Sequence, residues 1–159
     1  MNAMKLCSMI TAICLLSVNM VLAQANSEKC DGTTHEGTIY KIVEDMPCPA
    51  SCQEGLDYTD SAACTKKQID NYVMGHDAYA ELSAQIISSG SIHIRFIVEA
   101  DGCLTDFIIR RDLCDGCGEQ LKDILSTMPQ WKPGKTLDQS VRVLQNYTLR
   151  FNDVAGSQN

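Results

Sequence analysis

Between Gly90 and Arg111, apolar residues recur at every second position on both sides of an Asp-Gly dipeptide. Ile92, Ile94, Phe96 and Val98 alternate with His93, Arg95, Ile97 and Glu99. Successive side chains of a strand point to opposite faces, so this run predicts a strand over 92–99 with one buried face. Asp101-Gly102 is the strongest short signal for a two-residue hairpin turn. It predicts an antiparallel return strand over 103–111 that carries Leu104, Phe107 and Ile109. Leu104 is out of phase with Phe107, which predicts a bulge between them. An isolated hairpin is marginal in water, so its apolar face needs a cover.

The cover follows at once. Leu121, Ile124, Leu125 and Met128 stand at i, i+3, i+4 and i+7, one stripe of a helix over 115–128. Pro129 ends it, because the residue before a proline is pushed out of the helical region. Trp131 and Pro133-Gly134 make a turn, with Trp131 placed to cap the core. A last strand over 139–152 sets Val141, Val143, Gln145, Tyr147, Leu149 and Phe151 on one side. Arg142, Asn146, Thr148 and Arg150 fall on the other. Upstream, residues 65–89 read as helical in two pieces around Gly75, with Tyr79, Leu82, Ile86 and Ile87 on one face. The predicted class is α+β: a three-stranded antiparallel sheet covered on one face by two helices, over residues 65–152. That length supports one modest core.

Residues 1–23 read differently. Lys5 is their one charge, an apolar run extends from Ile10 to Leu22, and small residues stand at Ala23 and Ala25. This pattern predicts a secretory signal peptide cleaved after Ala23; the alternative is an inner-membrane anchor formed by residues 5–23. Residues 24–64 read as a flexible, cysteine-rich lead-in: a short extended piece around Ile39 to Val43, then an irregular cross-linked loop. Residues 153–159 read as a polar tail. Loss of Lys5 with the leader moves the formal charge from −7 to −8. An acidic chain lacks the basic face that nucleic acid demands, so no nucleic-acid partner is expected. A hydrophobic content of 45% excludes disorder throughout.

Of nine cysteines, Cys7 and Cys14 leave with the leader, and an exported chain is expected to oxidise the rest. Cys114-Asp-Gly-Cys117 stands at the predicted helix start. Either the helix dipole lowers a thiol pKa there for thiol–disulfide exchange, or the pair is a structural bridge. Cys103 and Cys114 lie at opposite ends of one strand, about 30 Å apart, well beyond the span of about 7 Å that a disulfide allows. Cys103 must therefore join Cys30, Cys48, Cys52 or Cys64, or remain a thiol. With Cys114 bonded to Cys117, an odd five remain, and Cys30 in the lead-in is the candidate left over. Cys48, Cys52, Cys64 and Cys103 would then tie 48–64 to the hairpin. Cys48 and Cys52 with Cys114 and Cys117 also have tolerable zinc-ligand spacing, but no metal or other cofactor is expected. His35, His76 and His93 fall in no ligand pattern. No G-x-S-x-G, P-loop or G-x-G-x-x-G run is present, so an enzyme is not expected.

In order and spacing, four runs resemble the C-terminal domain of TonB, the periplasmic part of the energy transducer for outer-membrane receptors. They are G-S-I-H-I-R-F-I-V-E-A-D-G from Gly90, L-T-D-F-I-I-R-R from Leu104, M-P-Q-W-K-P-G from Met128 and L-R-F ending at Phe151. I-V-E-D-M-P from Ile42 to Pro47 resembles the start of this domain in Bacteroidetes-type sequences. The resemblance implies that the last strand keeps a free edge, to which an extended segment of a receptor plug adds as a further strand. In this chain the implied partner-binding positions are Val141, Val143, Gln145, Tyr147 and Leu149, with Tyr79. Ala80 stands where the family has a proline after that tyrosine. A full transducer also needs a long proline-rich linker, and this chain has four prolines in all. The expectation is therefore an exported, periplasmic or other envelope protein-binding module. It would be linked to TonB-dependent transmembrane transport, and self-association into a homodimer is a further option. The alternative is an envelope thiol–disulfide or metal-handling protein that uses Cys114 and Cys117.

Overall fold

The computed structural model describes Cys30, residues 36–53 and residues 57–152. The leader expected at 1–23 and the tail at 153–159 lie outside the described residues. In chain order the elements are β1 (Ile39–Tyr40), β2 (Cys48–Pro49), α1 (Tyr58–Gly75), α2 (Tyr79–Ala84), β3 (Gly90–Val98) and β4 (Leu104–Arg111). They continue with α3 (Cys117–Ser126), β5 (Trp131–Lys132), β6 (Gly134–Thr136) and β7 (Gln139–Phe151).

The class is α+β, as the patterning requires, but the sheet is larger than a three-stranded antiparallel one. β7, β3 and β4 form the antiparallel centre. β1 joins the outer edge of β7 in parallel, β6 folds back on β7 as a hairpin, and β2 pairs with β5 in a separate ribbon. The added strands are two or three residues long, too short for a periodicity to register. Three helices stand where the class named two: the 65–89 region divides next to Gly75, as its two pieces predict, and the His76 N–H closes α1 on the Val73 carbonyl.

α1 also begins earlier than expected. Asp57 caps it by accepting the Asp60 N–H at 2.8 Å, so residues 58–64 are helix rather than irregular loop. The hairpin differs as well. Glu99 and Cys103 still pair, and the loop between them has three residues, with Gly102 at φ +87°. This is the turn in which a left-handed residue closes a one-residue bulge. The extra residue lets the loop dock on Trp131, whose N–H donates to the Gly102 carbonyl at 2.9 Å. A Cβ on Gly102 would collide with the Trp131 carbonyl. The bulge expected between Leu104 and Phe107 falls at Asp106, with φ +51°.

Alternation then builds the core. Ile92, Ile94, Phe96 and Val98 of β3, with Tyr147 and Leu149 of β7, face Leu121, Ile124 and Leu125 of α3. Ile69 and Val73 of α1 and Leu82 of α2 complete the layer. Fully burying such side chains stabilises by about 2 kcal/mol each before conformational entropy is charged against it. Trp131 closes the open end, edge-on to Phe96 at 5.7 Å between ring centroids.

The cysteines bond as Cys30–Cys103, Cys52–Cys64 and Cys114–Cys117. Cys103 does join the amino-terminal group, but through Cys30, which had been expected to stand apart. Cys48 is buried in β2. The 48–64 segment is therefore held to its own helix, and it is the lead-in that is tied to the hairpin. The reason is the early start of α1, which carries Cys64 away from the turn and brings it beside Cys52, at 6.1 Å between Cα atoms.

Candidate functional site

β7 has two edges. One pairs with β3 from Val143 to Phe151. The other is taken by β1 at Arg142 and Val143, while β6 pairs with the start of β7 at Gln139–Val141, ahead of the β3 ladder. Among the described residues, no strand pairs with that outer edge from Leu144 onward. The first half of α1 and the Met46–Pro47 segment stand across it. Between them runs a groove of about 450 Å³, lined by Pro47, Tyr58, Ala62, Thr65 and Ile69 opposite residues 144–148 and Arg150 of β7. A shallower hollow of about 340 Å³ shares Met46 and Tyr58 and adds Ile42 and Val43. Ile42 and Tyr58 are 73% and 61% exposed, so an apolar lip borders the groove.

The two outer strands of the sheet differ in how they are protected. β4 carries the Asp106 kink and ends in Arg110 and Arg111, and bulges and charges are how proteins blunt an exposed edge. The stretch from Leu144 to Leu149 has no proline, no glycine and no charged residue.

The groove wall is held by a polar chain. Tyr147 Oη donates to Asp70 Oδ1 at 2.9 Å. Lys66 Nζ bonds both Asp70 oxygens at 2.6 and 2.9 Å and lies 5.8 Å from the Tyr147 ring centroid. Burial, and then the Asp70 carboxylate, push the Tyr147 hydroxyl well above the ordinary tyrosine range. At the far end, Glu99 is fully buried and takes Arg142 through both oxygens, Nε at 2.7 Å and Nη2 at 3.0 Å. Thr105 Oγ1 donates to the same carboxylate, and Arg142 Nη1 reaches the Gly37 carbonyl at 3.3 Å. This cluster holds the lead-in, and with it β1, on the covered part of the β7 edge.

Of the partner-binding positions the resemblance implies, Gln145 and Tyr147 line the groove. Val141 pairs with Gly134 of β6, Val143 lies where β1 occupies the outer edge, and the Leu149 side chain is buried in the core. Tyr79 packs on the core from the first turn of α2 rather than lining the groove. Sequence reasoning missed the opposite wall, because residues up to 64 read as lead-in. The available signal was Asp57 as a cap, followed by Ala62, Thr65 and Ile69 at i, i+3 and i+7. It also missed Glu99 with Arg142, because a pair 43 residues apart leaves no local trace.

Cys114 and Cys117 are bonded at the start of α3, with Cys117 fully buried and Cys114 packed against the core. Cys52, a member of the zinc set, is bonded to Cys64. Among the described residues, no group of three or more His, Cys, Asp or Glu is placed to hold a metal ion. No helix among them is long and apolar enough to cross a membrane. Comparison with family models, with curated proteins and with solved structures finds no match for this chain.

Proposed function

We propose that this chain is an exported protein-binding module that takes an extended peptide onto the outer edge of β7. The reading rests on one observation above all: from Leu144 to Leu149 the edge is unpaired by any described strand, undefended, and set along a groove with an apolar lip. Unpaired main-chain N–H and C=O groups there supply affinity, and the side-chain subsites supply selection. The resemblance of Gly90–Phe151 to the TonB C-terminal domain points to the same edge and suggests a receptor plug segment as the partner. Three disulfides suit an oxidising compartment such as the periplasm.

The test uses peptides selected from a random library on the exported chain, then Gln145→Pro and Asn146→Pro variants. Along a strand, successive residues turn their N–H groups to opposite edges. One of these prolines therefore removes an N–H from the β3 ladder, and the other removes one from the groove. The variant that keeps its melting temperature should lose the peptide, and bound peptide should slow amide exchange in 144–150. A stable variant that still binds with full affinity rules out strand addition at this edge.

A further inference from the structure

The chain holds 20 acidic side chains against 13 basic ones, and its five arginines all stand on three strands, β3, β4 and β7. Arg142 is consumed by Glu99 and lies 3.6 Å from Asp106. The other four share the sheet face that the helices do not cover. His93 lies opposite Arg111 on β4 and Thr148 on β7, Ser91 lies opposite Arg150, and Arg95 lies opposite Ile108 and Asn146. Ile94 pairs with Ile109 and His93 with Arg111, so Arg110 is the extra residue of a bulge and sits beside Arg111.

Among the described residues, no carboxylate neutralises this group. Among the described residues, Arg95, Arg110, Arg111 and Arg150 make no ion pair, and Arg95 Nε is buried without a hydrogen-bond acceptor. Asp112, the nearest acid in sequence, turns to α3, where its Oδ1 accepts the N–H groups of Leu113 and Gly118. His93 Nε2 is engaged by Ser91 Oγ at 2.8 Å. Four guanidinium groups gathered on one face of an acidic molecule repel one another unless an anion lies over them.

We propose that this face docks on the phosphate groups of an anionic lipid surface. Each guanidinium offers a planar fork of N–H donors that fits phosphate. Three strands side by side present a plane rather than the concavity that a small anion requires. Ile108, 43% exposed, stands among the arginines as an apolar contact for the headgroup boundary. The acidic remainder of the molecule is repelled by the same surface, which orients the arginine face toward it. With that face down, the free edge of β7 lies alongside the bilayer. The proposal meets the groove only at Arg150 and does not depend on peptide binding.

The experiment is co-sedimentation of the exported chain with phosphatidylcholine vesicles, with and without phosphatidylglycerol, at low and high salt. Binding should require phosphatidylglycerol and weaken with salt. Each of Arg110→Gln, Arg111→Gln and Arg150→Gln, all at exposed positions, should lower partitioning about fivefold. Lys67→Gln on α1 should leave it unchanged. Absence of binding to anionic vesicles at low salt overturns the proposal, as does undiminished binding by the triple variant. Capture by polyglutamate through the same arginines, with vesicles left unbound, assigns the face to an acidic protein and overturns it equally.

Discussion

Tyr147 shows how much one side chain can do in this fold. Alternation turns its ring into the core beside Ile94, while its hydroxyl reaches Asp70 on α1, so one residue joins the edge strand to the opposite groove wall. The folded state holds the phenolic proton more tightly than the unfolded chain does. Its contribution is therefore fully present below the ordinary tyrosine pKa and is lost as pH rises from about 10 through the folded-state value. Urea unfolding should show stability falling above about pH 10, and Tyr147→Phe should flatten that fall. At neutral pH the same variant should cost about 1 kcal/mol, the net worth of a hydrogen bond whose acceptor keeps Lys66. Equal slopes for the two proteins would contradict this account.

At the scale of elements, the site is the meeting of a strand with a helix that the local pattern concealed. The first turns of α1 form a wall only because Asp57 starts the helix at Tyr58. Asp57→Ala should lower stability by about 1 kcal/mol, the usual cost of losing an N-cap. It should also raise amide exchange in residues 58–64 ahead of the rest of α1. Uniform exchange along α1 would mean that Cys52–Cys64 holds the start of the helix and the cap does not. The edges of the sheet follow from neighbours too. β1 shields the outer edge of β7 at Arg142 and Val143, and the arginines and the bulge defend β4.

Over the whole molecule, the disulfides set how the amino-terminal third is carried. Cys30–Cys103 spans 73 positions and Cys52–Cys64 spans 12. If each bridge acts by restricting the unfolded chain, removing the longer loop costs about 4 kcal/mol and the shorter about 3. Chemical denaturation of the Cys30→Ser/Cys103→Ser and Cys52→Ser/Cys64→Ser variants should rank in that order. The reverse order would place the stabilisation in the folded contacts around α1. The buried Glu99–Arg142 pair works at the same scale, joining β3, β4, β7 and the lead-in at one point.

Periodicity alone determined the centre of this protein. The two-residue repeat of Ile92 to Val98, the helical stripe of Leu121 to Leu125, and the stops at Gly102 and Pro129 each follow from neighbours within a few positions, so β3, β4, α3 and β7 were legible in the chain. The α+β class and the cap made by Trp131 followed from them. What needed the tertiary structure depends on contacts between residues far apart in sequence. These are the two- and three-residue strands that pair with the start of β7, the Cys30–Cys103 bond, the Glu99–Arg142 pair and the groove against α1. A pattern of side chains records which face of an element is buried. It does not record which of two strand edges is left unpaired, because main-chain hydrogen-bonding groups are the same in every residue but proline.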